Sequence, residues 1–154
     1  MQSITEKLSQ LGYTLPPAPA PAGSYVPWKR SGKLLYLSGV LPMLDGKLTH
    51  TGAVGAEQSI EEAQEAARIC LLNALAIANG ALGSLDKIQQ VLLVNGFVYG
   101  VTGFSQSPAV INGASNLLLE LFGERGQHAR AAVAVAGLPL NASVELQITM
   151  ETAE

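Results

Sequence analysis

The stretch HARAAVAVAGLPLNASVELQITM, residues 128–150, decides the fold. From Val144 onward the apolar residues fall at every second position (Val144, Leu146, Ile148, Met150), with Glu145, Gln147 and Thr149 between them. A period of two belongs to a strand that keeps one face against a core. Upstream, residues 128–136 are alanine and valine except for His128 and Arg130, which reads as a second strand. Gly137, Pro139 and Asn141 fill the connection with turn-forming types. Together the two strands read as a C-terminal hairpin.

Outward from there, Ser107-Pro108 opens a helix, with serine at the cap and proline at the first position. Leu117, Leu118, Leu121 and Phe122 give that helix its apolar stripe, and Gly123 ends it. Residues 85–99 hold a strand whose Val91-Leu92-Leu93-Val94 segment is apolar on both faces, as in the middle of a sheet. Ser59-Ile60-Glu61-Glu62 is a capping box. It starts the strongest helix, in which Ile60, Ala63, Ala67, Cys70, Ala74 and Ile77 recur at helical spacing and Gly80 is the expected terminator. Leu34 to Leu41 is a short apolar run expected to be a buried strand. Gly39 within it marks a bulge or a close backbone approach. Asp45-Gly46 is a hairpin turn signal. Ser3 to Leu11 reads as a short helix capped by Ser3 and Glu6. Four prolines in residues 16–21 then impose an extended arm.

This order predicts one α+β domain over residues 1–154, of which 1–22 are the N-terminal helix and proline-rich arm. Strand–helix–strand–helix–strand–strand places both long helices on one face of a mixed sheet. The other face stays open unless further subunits cover it. Composition points the same way: 48% of residues are hydrophobic and 14% charged, against about 25% charged on average. Either plentiful alanine and glycine explain this, or an oligomer interface depleted in charge does, and the open sheet face favours the second.

The net charge is −3, with no basic cluster beyond Lys29-Arg30 and Lys33, which argues against a nucleic-acid partner. Cys70 is the single cysteine and sits among apolar neighbours, so packing is its expected role. Cys70, His50 and His128 offer no metal-ligand spacing. The sequence lacks the phosphate-loop, zinc-protease and nucleophile-elbow motifs. The first residues lack the apolar core of a signal peptide, and no uncharged apolar run of about 20 residues is present. No membrane span is therefore expected, and the cytoplasm is the expected compartment.

Few residues remain that could carry chemistry. Apart from His128, Arg130 is the only ionisable group between Arg125 and Glu145. Strand alternation puts it on one face with Ala132, Ala134 and Ala136, whose small side chains leave room around a guanidinium. It is either a carboxylate anchor, through its two-pronged fork, or a structural arginine paired with a nearby acid. Glu145 points away from Val144 and Leu146. It is either a solvated strand residue or an acid/base group within reach of a substrate. Tyr25, at the exit of the arm, either pins the arm by packing or closes over a ligand. Asn112-Gly113 costs helix propensity inside a helix, so a packing or ligand reason is expected.

Leu37-Ser38-Gly39-Val40-Leu41-Pro42 resembles the SGQxP segment of the RidA/YjgF family, also labelled L-PSP endoribonuclease-like. Residues 129–139, ARAAVAVAGLP, followed by Val144-Glu145, resemble that family's C-terminal signature, in which an arginine, a Leu-Pro turn and a glutamate stand at fixed distances. The resemblance runs from about Pro21 to the C-terminus. The N-terminal helix, LPPAPAPAGSYVPW (residues 15–28) and VINGAS (residues 110–115) look like a longer branch. The resemblance implies a chorismate-mutase-like fold and a homotrimer with ligand sites between subunits. It implies an imine deaminase, a hydrolase that converts 2-imino acids into 2-keto acids and ammonia without metal or cofactor. Carried over by position, Arg130 holds the substrate carboxylate, Glu145 orients water, Tyr25, Ser38 and Gly39 line the pocket, and Asn112 supports it. Ala132 stands where deaminases often have cysteine and Val40 where they often have a polar residue, so this pocket is less polar. The rival readings are a non-catalytic, carboxylate-binding regulatory trimer and an endoribonuclease.

Overall fold

The structure, a computed structural model, describes residues 1–21 and 23–153. Along the chain run α1 (Ile4–Gln10), β1 (Trp28–Ser31), β2 (Leu34–Leu37), β3 (Met43–Leu44), β4 (Lys47–Leu48), α2 (Ile60–Leu82), β5 (Ile88–Tyr99), α3 (Ser107–Phe122), β6 (Ala129–Val135) and β7 (Val144–Thr152). Five strands form one mixed sheet in the order β1-β2-β7-β5-β6, and β3-β4 is a separate small hairpin around Asp45-Gly46.

The alternation in β7 does what its period requires. Val144, Leu146, Ile148 and Met150 are fully buried against the helices. β6 and β7 nevertheless do not form a hairpin. β5 lies between them, parallel to β6 and antiparallel to β7. Residues 136–143 are long enough to cross the end of β5, a distance of two strand spacings or roughly 10 Å. Leu140 and Asn141, both at positive φ, turn the chain there. β5, twelve residues long, gains a partner on each edge, which satisfies its backbone groups on both sides.

Both capping boxes form, Ser3 with Glu6 and Ser59 with Glu62. α2 passes through Gly80 and stops at Gly83, where φ is 83°. Ile77, Ala78 and Leu82 are still buried, and that apolar face carries the helix past the first glycine. α3 starts one residue earlier than expected: Gln106 is at the cap and Ser107 is buried in the first turn. Among the described helices α2 alone is long and apolar enough to cross a membrane, and 67% of its apolar window is buried inside the fold, as befits a core helix.

α2 and α3 pack on the sheet through small residues. A side-chain carbon at Gly113 would run into the Gln64 backbone, so glycine sets the closeness of the helix–helix crossing. α1 docks through buried Leu8 and through the Ile4 amide, which donates to Asp86 Oδ1 at 2.8 Å. The chain leaves the opposite sheet face uncovered, with Tyr36 and Val133 exposed to 45% and 47%.

Candidate functional site

Arg130 stands opposite Val94 in the β5–β6 ladder and therefore shares Val94's face, toward the helices. Its Nη1 donates to Asn112 Oδ1 at 2.7 Å and to Ser115 Oγ at 3.1 Å, both on α3. Its Nη2 makes a long contact of 3.5 Å to the Pro108 carbonyl. Both Nη1 protons are thereby committed. The Nε–H and the second Nη2–H lie along one edge of the guanidinium, the spacing that a carboxylate accepts in parallel. No acid among the described residues lies within ion-pair distance of Arg130. The reading of Arg130 as a structural partner of a nearby acid is therefore not what the structure has.

Sequence reasoning overlooked Ser115 and His128. His128 Nδ1 lies 2.6 Å from the Gly126 carbonyl, and its Nε2 lies 2.9 Å from Ser115 Oγ. The available signal was spacing: Ser115 is three residues from Asn112 on one helix face, and His128 is two residues from Arg130. Asn112, Ser115, His128 and Arg130 line one surface pocket. Asn112-Gly113 thus has a packing reason, since the glycine permits the helix crossing, and the asparagine side chain accepts from Arg130.

Glu145 stands opposite Phe97 and faces the uncovered side of the sheet. Its carboxylate lies against Gly39, where a side-chain carbon would overlap Oε2. The close approach expected at Gly39 is therefore made to a carboxylate. Burial pushes the Glu145 carboxyl above its ordinary value, because the charged form is poorly solvated there. Tyr25, Ser38 and Gly39 line a cavity of about 60 Å³ that the arm closes through Pro19 and Pro21. Ser38 ties this corner together: its hydroxyl donates to the Val26 carbonyl at 2.6 Å and its amide to the Pro27 carbonyl at 2.9 Å.

The structure thus sorts the candidates into two groups. Arg130 and Asn112 sit together at the β6 edge. Glu145, Gly39, Ser38 and Tyr25 sit together beside the arm. Arg130 and Glu145 lie on opposite faces, with β5 between their strands, on the order of 10 Å apart across the sheet alone. One chain does not bring them to the same substrate. Val40 is buried and bridges to Leu146, and Ala132 packs against the core, so neither supplies a polar group. Cys70 is fully buried under β7, and burial first, then the Glu145 charge, pushes its thiol well up, which leaves it a packing residue. Among the described residues no group of three or more His, Cys, Asp or Glu could hold a metal ion.

Comparison with known proteins agrees with this architecture. The family described as "YjgF/chorismate mutase-like, putative endoribonuclease" matches residues 5–151. Protein TCP17 of Trypanosoma cruzi is 43% identical over 149 residues, 96% of this chain and 93% of that one. The crystal structure of Atu1372 from Agrobacterium tumefaciens is 48% identical, with a TM-score of 0.91 over 99% of this chain and 93% of that one. The structure of a "putative endoribonuclease" from Shewanella oneidensis is 34% identical, with a TM-score of 0.94 over 97% of this chain and 99% of that one. These matches take in the N-terminal helix and arm, so the likeness begins well before Pro21. The chain belongs to the YjgF/chorismate-mutase-like family.

Proposed function

We propose that the protein hydrolyses 2-imino acids to 2-keto acids and ammonia, in clefts formed where three copies of the chain meet. The observation that carries this reading is the free Nε/Nη2 edge of Arg130, held in place by neutral acceptors and left without a counter-charge. A built and uncompensated fork of this kind is a receptor for a small carboxylate.

The chemistry asks little more of the protein. The iminium carbon is already electrophilic, so positioning and a polarised water supply most of the acceleration. With the carboxylate on Arg130 of one copy, Glu145 of the next copy faces the neighbouring carbon. Glu145 takes a proton from water as the oxygen bonds to that carbon, giving a carbinolamine. It then returns the proton to the nitrogen; as the C–N bond breaks, the carbinol hydroxyl gives its proton to the Glu145 carboxylate, and the keto acid leaves with ammonia, which carries that proton away. A carboxyl raised by burial suits both halves of this exchange. The protein's partners are then its own copies and a small imino acid, and the chemistry draws on no metal or cofactor.

The test is ammonia release from an imino acid generated in place by an amino-acid oxidase. Wild type accelerates it. Arg130→Ala lowers kcat/KM by roughly 100-fold, about two charge-assisted hydrogen bonds, and Glu145→Ala by about 10²–10⁴-fold. Absence of acceleration by wild type removes the deaminase reading. The apolar Val40 and Ala132 favour the second reading, a carboxylate-binding trimer without catalysis. It predicts keto-acid binding that depends on Arg130 and is indifferent to Glu145. RNA cleavage that persists through purification in Arg130→Ala would revive the endoribonuclease reading.

A further inference from the structure

We propose that Ser115 and His128 position Arg130 and couple its grip on a carboxylate to a proton on the imidazole. The inference rests on the reading of Arg130 as the carboxylate anchor. The Gly126 carbonyl can only accept, so at 2.6 Å His128 Nδ1 carries a proton. In the neutral ring Nε2 is then the acceptor, and the Ser115 hydroxyl, 2.9 Å away, donates to it. The Ser115 oxygen in turn accepts from Arg130 Nη1 at 3.1 Å. Donation runs one way, from Arg130 through Ser115 and His128 to Gly126. With Asn112 taking the other Nη1 proton, the guanidinium is fixed in rotation and shows the ligand one edge.

A carboxylate on that edge stands up to roughly 11 Å from the imidazole along this relay, three hydrogen-bond lengths and a guanidinium away. Its negative charge favours the imidazolium. The Ser115 oxygen has two lone pairs and can accept from both Arg130 and a protonated Nε2. Its own proton then turns to a carbonyl one helical turn back, as serine does in helices. Among the described residues no acid lies within ion-pair distance of His128, and Arg130 is the one other charged residue lining its pocket. Its pocket is otherwise lined by amides and Leu119. In the preceding turn Glu124 is exposed and Arg125 is turned to the Ile88 and Gln89 carbonyls. On α3, Glu120 lines an adjoining crevice with Arg68, beyond the shared Asn112 and Asn116. β5 contributes Leu93 and Val94 to this corner.

Pyruvate is the probe, titrated calorimetrically into the assembled protein between pH 5.5 and 8 in buffers of different ionisation enthalpy. Wild type takes up a fraction of one proton on binding, and its affinity rises about threefold toward low pH, the effect of one charge at that distance in a partly screened site. With Glu145→Gln as the common background, so that the raised carboxyl of the proposed cleft takes up no proton, His128→Gln binds with no proton uptake and a flat profile. Ser115→Ala binds more weakly at every pH and also loses the slope. Pyruvate binding by wild type with no proton uptake, or an unchanged slope in His128→Gln, overturns this proposal and leaves the anchor standing. No pyruvate binding at any pH overturns the anchor and the proposal with it.

Discussion

Glu145 is held where its charge is costly. Burial raises its carboxyl in the folded chain above the unfolded value, so its own contribution to stability is greatest below the ordinary carboxylate range and is lost as pH rises through the folded value. Glu145→Gln removes that cost. The expected outcome is a higher Tm than wild type at pH 7.5, a difference that shrinks at pH 4, and ammonia release lowered by about 10²–10⁴-fold. A lower Tm at pH 7.5 would mean that the carboxylate is held by stabilising bonds instead. Gly39→Ala tests the same spot from the other side: the methyl group overlaps Oε2 and displaces the carboxylate. A shift of about 1 Å in a reacting group costs about 100-fold in rate, read as kcat/KM with KM little changed. Gly39 and Arg130 were legible because each breaks its local pattern, a glycine in an apolar run and a charge among alanines, whereas Glu145 fits the polar positions of β7 and only the family resemblance singled it out. Ser115 and His128 break no pattern. They become visible only when α3 and the turn before β6 meet at Arg130, and that contact is tertiary.

At the scale of elements, the capping boxes and the hydrophobic periods located the helices and faces because caps and periods are local properties. The pairing of strands is not local. Alternation in β7 says which side is buried but not which strand lies beside it. A connection rich in turn residues suits a hairpin as well as a crossing over β5. The end of α2 likewise moved from Gly80 to Gly83, where buried side chains outweighed the first stop signal, and the start of α3 moved by one residue while its end stayed at Gly123. The α2–α3 crossing gives a stability test. By propensity alone, Gly113→Ala should help α3 by roughly 1 kcal/mol. The new carbon, however, meets the Gln64 backbone, which cannot swing aside as a side chain could. Overpacking of this kind costs about 1–3 kcal/mol, so the net expectation in urea unfolding is destabilisation. A stabilised variant would show that the helices can separate without loss.

At the scale of the whole molecule, the two groups of site residues constrain the assembly. Arg130 sits at the β6 edge on the helix side, and Glu145 sits on the uncovered face beside Gly39. In the proposed trimer each cleft takes Arg130 from one copy and Glu145 from another. Tyr36 and Val133 on the uncovered face are the apolar surface such an assembly would bury. The arrangement has a consequence that a site confined to one chain does not share. Arg130→Ala and Glu145→Ala are each inactive as pure trimers, because every cleft lacks one group. When the two are co-expressed and assemble at random, some clefts join an intact Arg130 to an intact Glu145, and the expected recovery is about one quarter of the wild-type activity per cleft. Val133→Asp, which places a charge on the face that the proposed trimer would bury, should leave far-ultraviolet circular dichroism unchanged, give a monomer by light scattering and abolish both activity and complementation. Mixed trimers without recovered ammonia release, from variants shown by tagged pull-down to co-assemble, would place both groups in one subunit's site and overturn the shared cleft.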